Sequence, residues 1–445
     1  MSEQDGRQSP TKQRRSRQTQ KHNGTPPALL RPTHDNTEGW KAYWKEQGQP
    51  WRTEPEIDAE RQAFLTERRS IKPDIEQGIY PFKGIKLSRA DVEWLLATHE
   101  NGKGPVDWTE ENQRTRNGLD MRGANLCELN LSNLPLTRLR GGLNEDERMV
   151  ATVEMCDMAA VHLERANLQN IHLERADLYR AHLEEVNLYG AYLEKTYLIQ
   201  AHLTGANLFR THLIRTRLRE ANLQRVRLGR AQLAETELED AVLSDEKHVG
   251  PRLADANWSN TNLSVVNWSN VKMLDDEYKS RQKLRYGKVK DRKRHLKEYG
   301  AAVRANRQLA VALQVQGLNE VAARFTYRAQ LLQRKVFWYQ RKFGQYLFSL
   351  FLDLLTGYGY RPGRSFIAYV LVISIFATIY LLLGNHLAWN EAIVISMTAF
   401  HGRGFFPEQF KPGDPQALVA AIEAFVGLLI EVTFIATLTQ RLFGK

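Results

Sequence analysis

From Leu163 to Leu243 every fifth residue is leucine, seventeen times without exception. Two positions before each leucine stands a small or β-branched residue, in a series that opens Val161, Ala166, Ile171, Ala176, Ala181, Val186, Ala191, Thr196 and ends at Ala241. The helical period of 3.6 and the strand period of 2 both fail to produce this spacing, so the block of five is its own structural unit and the fold is a stack. If each block forms one side of a four-sided coil, the leucine and the small residue point inward and the three polar positions point out. Twenty residues then complete a turn, and successive turns pair at about the 4.8 Å spacing of strands.

The phase survives an interruption at Asp245 to Pro251 and resumes in ADANWSNTNLSVVNWSN. An earlier segment, LDMRGANLCELNLSNLPLTRL, has the same spacing at Met121, Leu126, Leu131 and Leu136. The stretch GGLNEDERMV then shifts the phase, which predicts an outward loop. The coil is expected to resume at Val153, with Cys156 on an inward small position as packed core. Ser88, three residues before Asp91 in LSRADVEWLLAT, resembles a capping box and predicts a helix that covers the open end of the coil.

Beyond residue 300 the pattern turns helical. RANRQLAVALQVQGLNEVAARFTYRAQLLQRK reads as two amphipathic helices broken at Gly317, with Leu309, Val311, Leu313, Val321, Ala322, Phe325 and Leu331 available for mutual packing. KVFWYQRKFGQYLFSLFLDLL mixes cations, aromatics and leucines, as suits a helix lying along a bilayer surface. Ser365 to Gly384 holds twenty residues without a charge, enough to cross a hydrocarbon core of about 30 Å. Ala417 to Thr439 reads as a second span, and between the two lies EAIVISMTAF, largely apolar and too short to cross.

Charge adds a direction to this picture. The formal net charge is +11, which favours anionic surfaces, nucleic acid or the cytoplasmic face of a membrane. Six Lys/Arg lie between Arg7 and Lys21, with no acid from Gly6 to His34, so the N-terminus reads as a disordered basic tail without a secretory signal. Ten Lys/Arg and one acid, Asp291, fall between Lys279 and Lys297. Because this run precedes an apolar region, lipid headgroups or a solvated helix face suit it better than nucleic acid. Arg361 and Arg364 flank the first span and Arg441 and Lys445 follow the second, whereas the only Lys/Arg in residues 385 to 416 are Arg403 and Lys411. That asymmetry predicts a multi-pass protein of the cell (inner) membrane with both termini and the coil in the cytoplasm. The two cysteines, Cys127 and Cys156, give no disulfide framework.

The A(N/D)LXX blocks resemble the pentapeptide repeat family, which implies a right-handed quadrilateral β-helix. The hairpin of two spans around a short apolar helix resembles the pore module of two-transmembrane, potassium-channel-like ion channels. With the charge and capping patterns above, the resemblances, which cover roughly residues 120 to 440, complete a mixed fold: a basic tail over 1–40, a capping region with short helices over 41–115, and the β-helix over 116–273. A basic linker and helical hairpin follow over 274–335, then an interfacial amphipathic helix over 336–360 and a pore module with a re-entrant pore helix over 361–445. By the same resemblance the filter spans Thr398, Ala399, Phe400, His401, Gly402, Arg403 and Gly404. A potassium filter reads TVGYGD; aligned on Gly402 and Gly404, its Thr and Val fall on Phe400 and His401, Arg403 replaces Tyr and Phe405 replaces the acid. Anion or weakly selective conduction and cation conduction both fit this loop. The implied inner pore helix carries Glu423, Gly427 and Glu431, which can share one face. Glu423 reads as an interfacial residue, a partner of the pore helix or a pore-lining group. Glu431 is expected to line the pore or pair with a buried group, and Gly427 to allow bending or close packing.

The expected partners are the lipid bilayer, small ions, further copies of the chain (four, by the resemblance) and a protein contact on the coil. Nucleic acid is disfavoured. Val153 to Met273 holds sixteen acids against fourteen Lys/Arg, too balanced for the acidic surface with which some pentapeptide proteins imitate DNA. No nucleophile and base set or phosphate-binding loop stands out, so neither catalysis nor a cofactor is expected. His162, His182 and His202 should stack in one outward column, and His172, Tyr192 and His212 in the opposite one. A solvated polar ladder is favoured there over a metal site, since a twenty-residue spacing places no Cys or carboxylate to complete a ligand set at matching height. The rival to conduction is a membrane-anchored interaction scaffold.

Overall fold

The computed structural model describes residues 31–245, 249–285, 288–359, 362–384, 387–403 and 413–443. The basic tail up to residue 30 and the positions Arg361, Gly404, Phe405, Lys411 and Lys445 lie outside them.

The chain divides into two units, Met1–Pro55 and Glu56–Lys445. In the first, helix α1 (Thr37–Glu46) is capped by Asn36 and buries Trp40 and Trp44. The Arg52 guanidinium lies 3.5 Å over the Trp44 ring.

The second unit begins with α2 (Ala59–Ser70), α3 (Arg89–Ala97) and a distorted turn, α4 (His99–Gly102). The Ser88/Asp91 capping box starts α3. Arg89, in its first turn, donates to the carbonyls of Asn130 and Ser132 at 2.8 and 3.2 Å, which fastens the helix to the first coil.

Four columns of parallel bridges define the coil. His162, Asn167, His172 and Asp177 pair with His182, Asn187, Tyr192 and Tyr197, twenty residues on, and the series continues to Val242. Each column is built from single-residue bridges instead of extended strands. The reason is local: every block closes with a turn, as in Ala166 N to Leu163 O at 3.0 Å, so only one residue per side stays extended. The third residue of that turn has positive φ, as a type II turn requires, at every fifth position from Arg165 to Asp240. Leucines and small residues point inward and are nearly all fully buried. Where the small residue is Thr196, Thr211, Thr216 or Thr236, its hydroxyl donates to a leucine carbonyl of the preceding turn at 2.6 to 2.9 Å. Outside, Asn130, Asn167, Asn187 and Asn207 form a ladder of amide bonds at 2.8 to 3.0 Å.

The start of the coil departs from the sequence reading. GGLNEDERMV is no simple loop, because Asn144 caps a short helix, α5 (Glu145–Val150). Val153 to Ala159 is a helix as well, α6, capped by Thr152. Cys156 is buried as expected, but in a cluster with Tyr80, Leu143 and Ala159 instead of inside the coil. Asp120 still pairs with Arg140 twenty residues on, but the two helices lengthen the next four bridge intervals to 37 residues, as in Asn125 with His162.

Helix α7 (Asp275–Arg281) and a two-residue hairpin, β1 (Leu284–Arg285) with β2 (Lys288–Val289), lead to α8 (Arg292–Val315) and α9 (Asn319–Gln340). These two helices form the hairpin that turns at Gly317. Leu309, Leu313, Ala322 and Phe325 are buried in it, whereas Val311 is 57% exposed and Leu332 takes the buried place expected of Leu331. The hairpin also closes the far end of the coil: Gln316 bonds to both Thr261 O and Leu263 N at 2.7 Å, and Phe325 meets Trp268 edge-on.

Helices α10 (Phe343–Thr356), α11 (Pro362–Leu383), α12 (Trp389–Phe400) and α13 (Pro415–Phe443) complete the chain. Asp353 on α10 accepts from Tyr327 and Arg334 of α9 at 2.9 and 2.8 Å and from Arg364 of α11 at 3.2 Å. One carboxylate therefore ties the hairpin to the first long apolar helix.

Candidate functional site

Helices α11, α12 and α13 pack against one another. Their contacts are lined by Ala377, Ala392, Ala399 and Ala420, small enough for the backbones to approach closely, together with Tyr380 and Ile395. Phe366–Leu383 and Pro415–Ala436 are long and apolar enough to cross a membrane by length and composition. Only 17% and 22% of their apolar windows are buried, so most of this apolar surface is left uncovered by the rest of the chain.

Glu423 lies at 0% exposure in the middle of this cluster. Tyr380 OH donates to one carboxylate oxygen at 3.0 Å and Ser396 Oγ donates to the other. Glu423 thus bonds to both α11 and α12, with one hydroxyl from each neighbouring helix. Glu431 pairs with His401, whose Nε2 lies 3.3 Å from Tyr369 OH. The two acids thus share α13 but serve different neighbours. Gly427 stands between them because the C-terminus of α12 presses there: a Cβ would overlap the Phe400 carbonyl.

Thr398, Ala399 and Phe400 form the last turn of α12, and Phe400 is fully buried against Tyr369. His401 caps the helix and Gly402 follows with φ of 66°. Gly402 N donates to Ala399 O at 2.9 Å and Arg403 N to Thr398 O at 3.0 Å, the crossed pair of a Schellman cap. The expected filter stretch is, as far as Arg403, a helix end. Gly402 suits that position because left-handed backbone is nearly free of strain only in glycine.

The outer walls of the coil carry the second constellation. His162, His182 and His202 stack with ring centroids 4.6 and 5.0 Å apart, and His172, Tyr192 and His212 at 4.5 and 4.8 Å. Contrary to the sequence reading, a carboxylate and a cysteine do stand at matching height beside the first column. Glu164 lies 3.1 Å from His162 Nδ1 and accepts from Cys127 Sγ at 2.9 Å. A twenty-residue spacing hides Cys127, since the helical insertion makes the interval at this point 37.

Residues 156–194 and 187–225 match the model of pentapeptide repeats, in eight copies. This stretch of the chain is a pentapeptide repeat domain. Solved structures with likeness to it include a pentapeptide repeat protein of the Arabidopsis thaliana thylakoid lumen (24% identity, covering 23% of this chain and 68% of that one, TM-score 0.21). A pentapeptide repeat protein of the cyanobacterium Cyanothece shows 29% identity, covering 30% of this chain and 88% of that one, with a TM-score of 0.17. HetL, a pentapeptide repeat protein of the cyanobacterium Nostoc involved in heterocyst differentiation regulation, shows 19% identity over 38% of this chain and 79% of that one, with a TM-score of 0.21. No curated protein matches the chain. The pentapeptide repeats supply a rigid wall of paired side chains, and the three apolar helices hold the enclosed acid.

Proposed function

We propose that the chain is an integral membrane protein whose pentapeptide repeat domain, a right-handed quadrilateral β-helix, is a cytoplasmic scaffold or sensor. Its two-span module conducts small ions within a symmetric homo-oligomer. The observation that carries the reading is the short α12 held between two long apolar helices, with Glu423 enclosed among them. An acid at membrane depth rarely faces lipid, and a half-length helix inside a two-span hairpin suits a pore-forming element. One hairpin cannot surround a pore, so several copies, most simply four, would do so. The charge asymmetry around the spans supports an inner-membrane location with the coil and both termini in the cytoplasm. The coil interior is filled by its own side chains, which leaves its outer walls to meet a protein partner.

The test is ion flux through the purified protein in liposomes and planar bilayers, under separate potassium, sodium and chloride gradients. A reversal potential that follows one ion, and shifts in Arg403→Ala, supports conduction through the loop after α12. Silence of the wild type across pH and voltage overturns it. The second reading is a membrane-anchored scaffold without conductance. The cap at Gly402 favours it, because the Thr398 and Ala399 carbonyls are engaged within the helix end.

A further inference from the structure

We propose that the wall of the coil carries a divalent transition-metal site, suited to zinc, formed by His162, His182, Glu164 and Cys127. The imidazole and carboxylate donor atoms of His162, Glu164 and His182 already lie within 4.8 Å of one another. The other oxygen of Glu164 holds Cys127 Sγ at 2.9 Å, so the thiol adjoins the same carboxylate. Two nitrogens, one oxygen and one sulfur are the donor types of a four-coordinate zinc site, whose bonds run at about 2.0 to 2.3 Å. Such bonds draw donors to within roughly 3.3 to 3.7 Å of each other. The rearrangement falls on side chains: the His162 and His182 rings leave their parallel stack, and the Cys127 thiol gives up its proton to solvent as it ligates. The bridged backbone beneath is free to stay as it is.

The placement suggests what the metal does. Cys127 belongs to the first coil, His162 and Glu164 to the second and His182 to the third, so the ion clamps three successive turns. It does so where the chain leaves the coil for α5 and α6 and the bridge interval stretches to 37 residues. At this join the covalent path between adjacent turns is longest, and a cross-link compensates for it. The opposite column supplies an internal control. His172 has its own carboxylate, Glu174, at 2.9 Å, but Tyr192 occupies the next turn where a second imidazole is needed.

The test uses the full chain in detergent, free of affinity tags and stripped with a chelator, titrated with zinc in a calorimeter and with cobalt(II) in a spectrophotometer. The expected results are a zinc-binding phase that His162→Ala and His182→Ala each weaken by about 100-fold or more, and a thiolate-to-cobalt absorption band that Cys127→Ser abolishes. His212→Ala should leave both unchanged. Circular dichroism of each variant, recorded without metal, verifies that the coil is intact. Absence of zinc binding in the wild type overturns the proposal, as does binding of equal strength in the folded His162→Ala and His182→Ala variants. Binding that persists with no cobalt–thiolate band removes Cys127 from the ligand set.

Discussion

Every leucine from Leu163 to Leu243 is at most 3% exposed, whereas Ile367, Leu371 and Ile375 of α11 are 64%, 53% and 49% exposed. Both regions are apolar on a regular plan, yet the plans differ in what completes them. In the coil each leucine is covered by the turns above and below, so repetition supplies its own interior. In the two-span module three helices bury a seam of alanines and one acid, and most of the apolar surface is left for something outside the chain. A bilayer supplies that cover in the function proposed here.

The same substitution in the two regions should separate these cases. Leu198→Asp sets a carboxylate in a dry, fully enclosed position and is expected to cost at least about 4 kcal/mol, unfolding the coil. Loss of cooperative thermal unfolding by circular dichroism checks it. Ile375→Asp should leave that transition in place and instead oppose insertion by about 3 kcal/mol, read as the share of chain in the membrane fraction. If Ile375→Asp melts the coil or leaves membrane partitioning untouched, the division drawn here fails.

This contrast also explains what could be read without coordinates. The coil was legible because one short period dictates both burial and turn geometry, so Leu163 to Leu243 fixes the inward face residue by residue. Its beginning was not, since capping residues as ordinary as Asn144 and Thr152 decide where α5 and α6 interrupt the period. Cys127 was lost with them, because its neighbour Glu164 is set by the length of the insertion. In the module, helix positions followed from apolar length. The partners of Glu423 did not, as Tyr380 and Ser396 lie 43 and 27 residues away in unrelated contexts.

The acid seam gives the next largest effect. Glu423→Leu leaves the Tyr380 hydroxyl without its acceptor, whereas Ser396 Oγ keeps the Ile373 carbonyl at 3.0 Å, at a cost of about 1 to 3 kcal/mol to the packing of α11, α12 and α13. Glu423→Gln keeps the shape and an acceptor, and should cost less than half as much. Thermal unfolding in detergent, followed by the loss of helical circular dichroism, compares the two. Equal midpoints would show that the seam does not depend on this acceptor.

A smaller effect returns to the coil. Burial pushes the Asp177 carboxyl up to about 6, against the pull of Arg140. The folded state therefore holds this proton more tightly than the unfolded chain, whose carboxyl titrates near about 3.9. The stabilising contribution is complete below about pH 4 and is lost as the pH rises through about 6. Asp177→Asn should raise coil stability by about 1 kcal/mol at pH 7.5, after allowance for solvent screening, and change little at pH 4. A gain of the same size at both pH values would assign the effect to something other than titration.

The smallest prediction concerns a cost that the coil shares with the helical hairpin. Arg225 ends a coil turn at φ of 57° and Arg341 ends α9 at φ of 60°. Left-handed backbone costs an ordinary residue about 1 kcal/mol, which glycine avoids, while glycine gives back about half of that through its greater freedom when unfolded. Arg225→Gly and Arg341→Gly should each stabilise by about 0.5 kcal/mol, measured as shifts of the coil transition and of helical unfolding. The Arg225 side chain is exposed, so its removal opens no cavity. If Arg225→Gly destabilises while Arg341→Gly does not, stacking of these long side chains along the wall contributes more than the backbone strain it accompanies. The outer face of the coil, like its leucine interior, would then be held by contacts from one turn to the next.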